Sequence, residues 1–133
     1  MTKSKCQINI KDQMTNDKKY DLEERTGKFG EEIIRFVKKI PQNPITTPLI
    51  SQLVRSATSI GANYNEADCA ESKKDFQHKI GICNKEAKES KHWLRMIAVS
   101  APELKEEARK HWQETNEFNL IFSSIIKSSN KKV

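Results

Sequence analysis

The pair best spaced for metal chemistry in this chain is Glu89 and His92, in the run KEAKESKHW. A Glu-x-x-His sets a carboxylate and an imidazole one helical turn apart. Carboxylate-bridged dimetal bundles use that spacing, but they need it twice, with two further inward-facing glutamates. Neither His78 nor His111 has a glutamate three residues earlier, and His92 turns from the side of Glu86 and Glu89 toward a basic side. No metal site is expected. Nucleophilic chemistry has little to work with, because Cys69 and Cys83 lack a Cys–His–acid arrangement. Cys83 also falls on an apolar stripe, where a free thiol acts as a small hydrophobe. The chain contains no glycine-rich phosphate loop, no His-Glu-x-x-His and no Cys-x-x-Cys. No catalytic residue and no cofactor is assigned, and a non-enzymatic protein is the expectation.

Other polar residues form ordered lines. In RSATSIGANYNEAD, residues 55–68, Ser56, Ser59, Asn63 and Glu66 continue from Gln52 down one side of a helix. That line runs roughly a quarter turn from the apolar stripe, at the helical period of about 3.6 residues. One reading is a bundle flank whose small side chains admit a neighbouring helix. The other is a half-buried hydrogen-bond network, with Arg55 and the Tyr64 hydroxyl as candidate partners for Asn63 and Glu66. Further along, Ile82, Glu86, Glu89, Trp93 and Met96 share a flank. Apolar groups of that size are costly to leave as a wet patch, so a packed helix or, in preference, another subunit is expected to cover them. Lys74, Lys85, Lys88, His92 and Arg95 occupy the outer side of the same helix. They read as a solvated face or as a phosphate-contacting surface for RNA or DNA backbone. Aromatic residues interleaved with these charges would suggest a stacking platform, and they are missing.

Four helical segments must position these lines. The first, about 20–40, carries Leu22, Thr26, Phe29, Ile33, Val37 and Ile40 at three-and-four spacing. PQNPITTP is a connection with three prolines. The second runs from about 48 to 69 on Leu49, Leu53, Ala57, Ile60, Tyr64 and Ala67. The third follows a break near 70–72 and reaches 98 on Phe76, Ile80, Cys83, Ala87, Ser90, Leu94 and Ile97. Ser100 and Glu103 have capping-box spacing, with Pro102 in the first turn. The fourth helix then continues to about 127 through Leu104, Ala108, His111, Thr115, Phe118, Phe122 and Ile125. Nothing reads as a strand. The expected fold is all-α, an antiparallel up-down four-helix bundle over 20–127.

The 133 residues carry a formal charge of +6. Residues 1–19 hold five Lys and two Asp, residues 127–133 hold three Lys, and 20–126 balance sixteen basic against sixteen acidic residues. The excess therefore lies in what are expected to be flexible basic tails, 1–19 and 128–133, which can steer a protein toward phosphate or simply keep it soluble. Three cysteines without short spacing fit a reducing compartment better than a disulfide framework. The first nineteen residues never gather an apolar core, and no run reaches bilayer length. A cytoplasmic location without membrane contact is expected.

The motifs QLVRS (52–56), SIGAN (59–63), Glu66, SKKDF (72–76), KEAKES (85–90) leading to Trp93 and Leu94, and ERTGKF (24–29) carry a family resemblance. Over about residues 22–125 the chain resembles bacterial four-helix-bundle proteins encoded in intervening sequences of the 23S ribosomal RNA gene. It is similar also to the accessory variability determinant of diversity-generating retroelements. The resemblance implies a homopentameric bundle without catalytic residues. Through the accessory protein, it further implies a nucleic acid and a reverse transcriptase as partners. A macromolecular interaction module that self-associates is the functional expectation, with a protein, RNA or DNA partner left open.

Overall fold

The structure is a computed structural model, and it describes residues 21–131. Four helices follow in order: α1 Leu22–Val37, α2 Thr46–Asp68, α3 Lys73–Ser100 and α4 Lys105–Lys131. A short 3-10 turn, Pro102–Leu104, joins the last two. No strand occurs among the described residues. The expected tail 1–19 lies outside the described residues, as do positions 132 and 133 of the other, whose residues 128–131 continue α4 rather than form a tail.

Local chemistry sets each helix boundary. The Asp21 carboxylate accepts the Glu24 N–H at 3.3 Å and starts α1. In the proline-rich connection, Asn43 Oδ1 accepts the N–H groups of Ile45 and Thr46, each at 2.9 Å. The Thr46 hydroxyl donates back to the Pro41 carbonyl at 2.7 Å. This polar clasp starts α2 at Thr46, before Pro48, so Pro48 occupies the first turn where its missing N–H is harmless. Ser72 caps α3 by accepting the Asp75 N–H at 3.0 Å. The expected capping box at Ser100 does not form. Ser100 remains in the last turn of α3, donating to the Met96 carbonyl at 2.9 Å, and Ala101 breaks the helix instead.

Consecutive helices pack side by side, α1 on α2, α2 on α3 and α3 on α4, as short connections require of an antiparallel bundle. The buried set follows the periodic stripes: Phe29, Ile33, Leu53, Ala57, Ile60, Ile80, Cys83, Ala87, Leu94, Ile97, Phe118 and Phe122 form one core. Phe36, one position off the α1 stripe, is also fully buried. α1 and α2 approach closely at Gly30, where a Cβ would stand 3.6 Å from Thr58 Cγ2, and more closely at Gly61 of α2. A Cβ there would stand 3.4 Å from Thr26 Oγ1 and 3.5 Å from its carbonyl. The fourth side of the bundle closes differently. Rings span α1 and α4, with Phe29 and Phe118 edge to face at 5.4 Å and His111 set 5.0 Å from Phe36. None of the helices among the described residues is long and apolar enough to cross a membrane.

Candidate interaction surfaces

The polar line of α2 divides once folded. Ser56 lies fully buried against Ser90 of α3, their hydroxyl oxygens 2.8 Å apart. Arg55 reaches outward over the same seam. Its Nη1 donates to Glu86 Oε1 at 3.3 Å and its Nη2 to Glu89 Oε1 at 2.5 Å. Hydrogen bonding to Glu89 is the main influence holding the Arg55 guanidinium above its ordinary pKa. Glu66 pairs with Lys79 of α3 at 2.6 Å. Ser59 and Asn63 turn back onto their own helix, Ser59 donating to the Arg55 carbonyl at 2.6 Å and Asn63 to the Ser59 carbonyl at 2.9 Å. Tyr64 faces the core, its ring 6.5 Å from Phe122, and burial raises its hydroxyl pKa. The line thus supplies two interhelical ion-pair sites and one serine contact, while Ser59 and Asn63 bond within their own helix and Tyr64 joins the core.

The flank on α3 is mixed. Glu86 and Glu89 take part in the Arg55 seam, and Glu86 is nearly buried. Ile82, Trp93 and Met96 are half-buried. The Trp93 ring packs on the core and lies edge-on to His92 at 4.8 Å, yet its indole N–H is buried with no acceptor among the described residues. Lys74, Lys85, Lys88 and Arg95 are all exposed, and none makes an ion pair with a described residue. The carboxylates Glu66, Glu86, Glu89, Glu107, Glu114 and Glu117, in contrast, engage cations at the helix seams.

The side of Arg95 shows what the linear sequence concealed. Between α3 and α4 runs a groove of about 360 Å³, lined by Leu94, Arg95, Ala98, Lys105, Ala108, Arg109, Trp112 and Gln113. Trp112 is 38% exposed, and Lys91 Nζ stands 5.2 Å from its ring centroid. An aromatic residue does stand among cations here, interleaved across two helices rather than along one. Lys105, Arg109 and Trp112 were legible as an i, i+4, i+7 set beside the His111–Thr115 stripe. Their meeting with Lys91 and Arg95 required the α3–α4 register.

Groups suited to other chemistry are absorbed by packing. No cluster of His, Cys, Asp and Glu able to hold a metal occurs among the described residues. Cys83 donates to the Ile60 carbonyl at 3.5 Å, and burial pushes its pKa up to about 12, so the thiol stays protonated at neutral pH. Cys69 is disulfide-bonded, a correction to the expectation of reduced cysteines. It lies exposed just beyond α2, whereas Cys83 is free and buried.

The sequence of residues 18–124 matches the family model of the 23S rRNA-intervening sequence protein. The chain belongs to that family. A solved structure agrees with this assignment: a protein with unknown function from the S23 ribosomal protein family of Bacteroides thetaiotaomicron. It is 31% identical, with a TM-score of 0.69, over 79% of this chain and 97% of the other. No curated protein matches the chain. The family and this neighbour support the four-helix architecture, and neither description names an enzymatic activity.

Proposed function

We propose that this family member is a non-enzymatic, self-associating helical bundle that binds another macromolecule through the outer face of α3 and α4. The observation that carries the reading is the segregation of charge. Seam carboxylates are engaged by Arg25, Lys39, Arg55 and Lys79, while Lys74, Lys85, Lys88 and Arg95 stand exposed and unpaired among the described residues. A face of uncompensated cations on a body balanced in overall charge attracts polyanions by backbone contacts. A nucleic acid is therefore favoured over a protein partner.

Self-association has separate support. Ile82, Trp93 and Met96 leave apolar surface half-covered. A second copy would cover it. Recovering the native complex and identifying its protein and RNA contents tests the proposal. An assembly of several copies holding a defined macromolecule is expected, and a bare monomer would contradict it.

A further inference from the structure

We propose that the α3–α4 groove around Trp112 binds single-stranded nucleic acid, with a base stacked on the indole and phosphates held by Arg95, Lys105 and Arg109. This deepens the preceding proposal and rests on its claim that this face takes a macromolecule. An indole more than a third exposed stands out, because no other described Phe, Tyr or Trp is exposed. Its surroundings point to a ligand that is aromatic and anionic at once. The groove lining contains two arginines and a lysine but no carboxylate. None of those three cations makes an ion pair with a described residue. Lys91, 5.2 Å from the Trp112 centroid, is steadied by donating to Asn116 Oδ1 at 3.0 Å.

Arg95 lies one turn beyond Lys91 on α3, and Lys105, Arg109 and Trp112 rise turn by turn on α4. Cations of both helices thus line the groove to one side of the ring, and Lys91 stands over one ring face. An extended strand laid along the groove meets charge from both helices and, at one end, the remaining indole face, the combination that holds single strands without strict sequence reading. Arginine planes can themselves stack on bases. A duplex keeps its base faces inside its own stack and cannot use the indole. An acidic peptide satisfies the cations but offers no base to the ring.

The test is fluorescence anisotropy on the full chain with labelled single-stranded RNA and DNA of about twelve nucleotides. A duplex of the same length and a polyglutamate peptide serve as comparison ligands. Trp112→Ala should weaken single-strand binding roughly tenfold or more and leave the duplex and peptide little changed. Trp112→Phe should retain most of the affinity, and circular dichroism should show native helix content in both. An Arg95→Ala/Arg109→Ala variant should weaken all three ligands. Single-strand affinity unchanged in Trp112→Ala, or polyglutamate binding as tightly as RNA, overturns the inference. If the arginine variant alone loses binding, the stacking site fails and the macromolecule-binding proposal stands. Should the full chain bind no polyanion even at low salt, both fail. A fall in assembly mass on Trp112→Ala, read by light scattering, would make the groove a contact between copies and also overturn the inference.

Discussion

Ser56 of α2 and Ser90 of α3 meet with their hydroxyl oxygens 2.8 Å apart, both fully shielded from water. Ser90 also donates to the Glu86 carbonyl one turn back, at 2.9 Å. With that proton committed, Ser56 is the donor across the seam, and its 3.3 Å approach to the Leu53 carbonyl is the longer alternative. Two small polar residues therefore bring α2 and α3 together without leaving an unsatisfied hydroxyl, directly beneath the Arg55–Glu86–Glu89 cluster.

Ser56→Ala and Ser90→Ala should each cost roughly 1 kcal/mol in chemical denaturation. The double variant should cost less than their sum, because the second substitution removes a hydroxyl that has already lost its partner. Ser56→Leu should be worse than either, since the seam has no room for added methyl groups. Strict additivity in the double variant would show that the hydroxyls do not interact.

Arg25 ties α1 to α4. Its Nε and Nη2 donate to the two oxygens of Glu114, each at 2.8 Å, and Nη2 also donates to Glu117 at 2.6 Å. The guanidinium stands 5.2 Å from the Phe118 ring centroid. The Glu114 bond is the largest influence keeping its pKa above the ordinary arginine value. Arg25→Lys keeps the charge and loses the fork, so it should still cost about 1 kcal/mol. A loss equal to that of Arg25→Ala would show that geometry, not charge, carries the tie. No loss in either would contradict this role.

Two half-buried groups should give stability opposite slopes with pH. Burial is the main cause lowering the His111 pKa below 6.5, so the unfolded chain takes up the proton first. Stability from this group is complete above the unfolded value and falls as pH drops below 6.5 toward the folded value. Asp68 is raised from 3.8 to about 6, first by burial and then by Glu23. There the folded chain holds the proton longer, so stability rises as pH falls from about 6 to 3.8. His111→Phe should expose a net gain on acidification from neutral pH to about 5, and Asp68→Asn should remove that gain. A His111→Phe variant that still weakens in this range would contradict the assignment.

If Trp93 supports assembly, Trp93→Ala should lower the solution mass at dilutions where the parent chain remains associated, since buried aromatic anchors dominate interface energy. Light scattering across a dilution series reads this. A parent chain that is monomeric throughout would remove self-association from the proposal. Unchanged association in the variant would confine Trp93 to packing within the chain.

The stripes around Ile33, Ile60, Ile80 and Phe118 were legible because each buried face repeats at the helical period, and they suffice for the four-helix class. The end of α3 was not, because Ser100 can either cap a new helix or bond back to Met96, and only packing around Ala101 decides. Interhelical polar partners were legible as types but not as pairs. Arg55 and Glu66 are network candidates by residue type, while the choice of Glu89 for one and Lys79 for the other depends on the α2–α3 register. Trp112 illustrates the same limit: a groove built by two helices has no single-helix periodicity.

The most direct test of macromolecule binding by the outer face is the salt dependence of single-stranded RNA affinity at matched assembly state. Three proteins should be compared: the full chain, a version lacking 1–19 and 132–133, and the Lys85/Lys88/Arg95→Ala variant. The proposal predicts that binding survives removal of the tails and weakens steeply as salt rises. It also predicts that the triple variant loses affinity, with its log–log salt slope shallower by roughly 0.7 for each phosphate contact removed. Binding that vanishes with the tails, or a triple variant whose affinity and slope match those of the full chain, would contradict it.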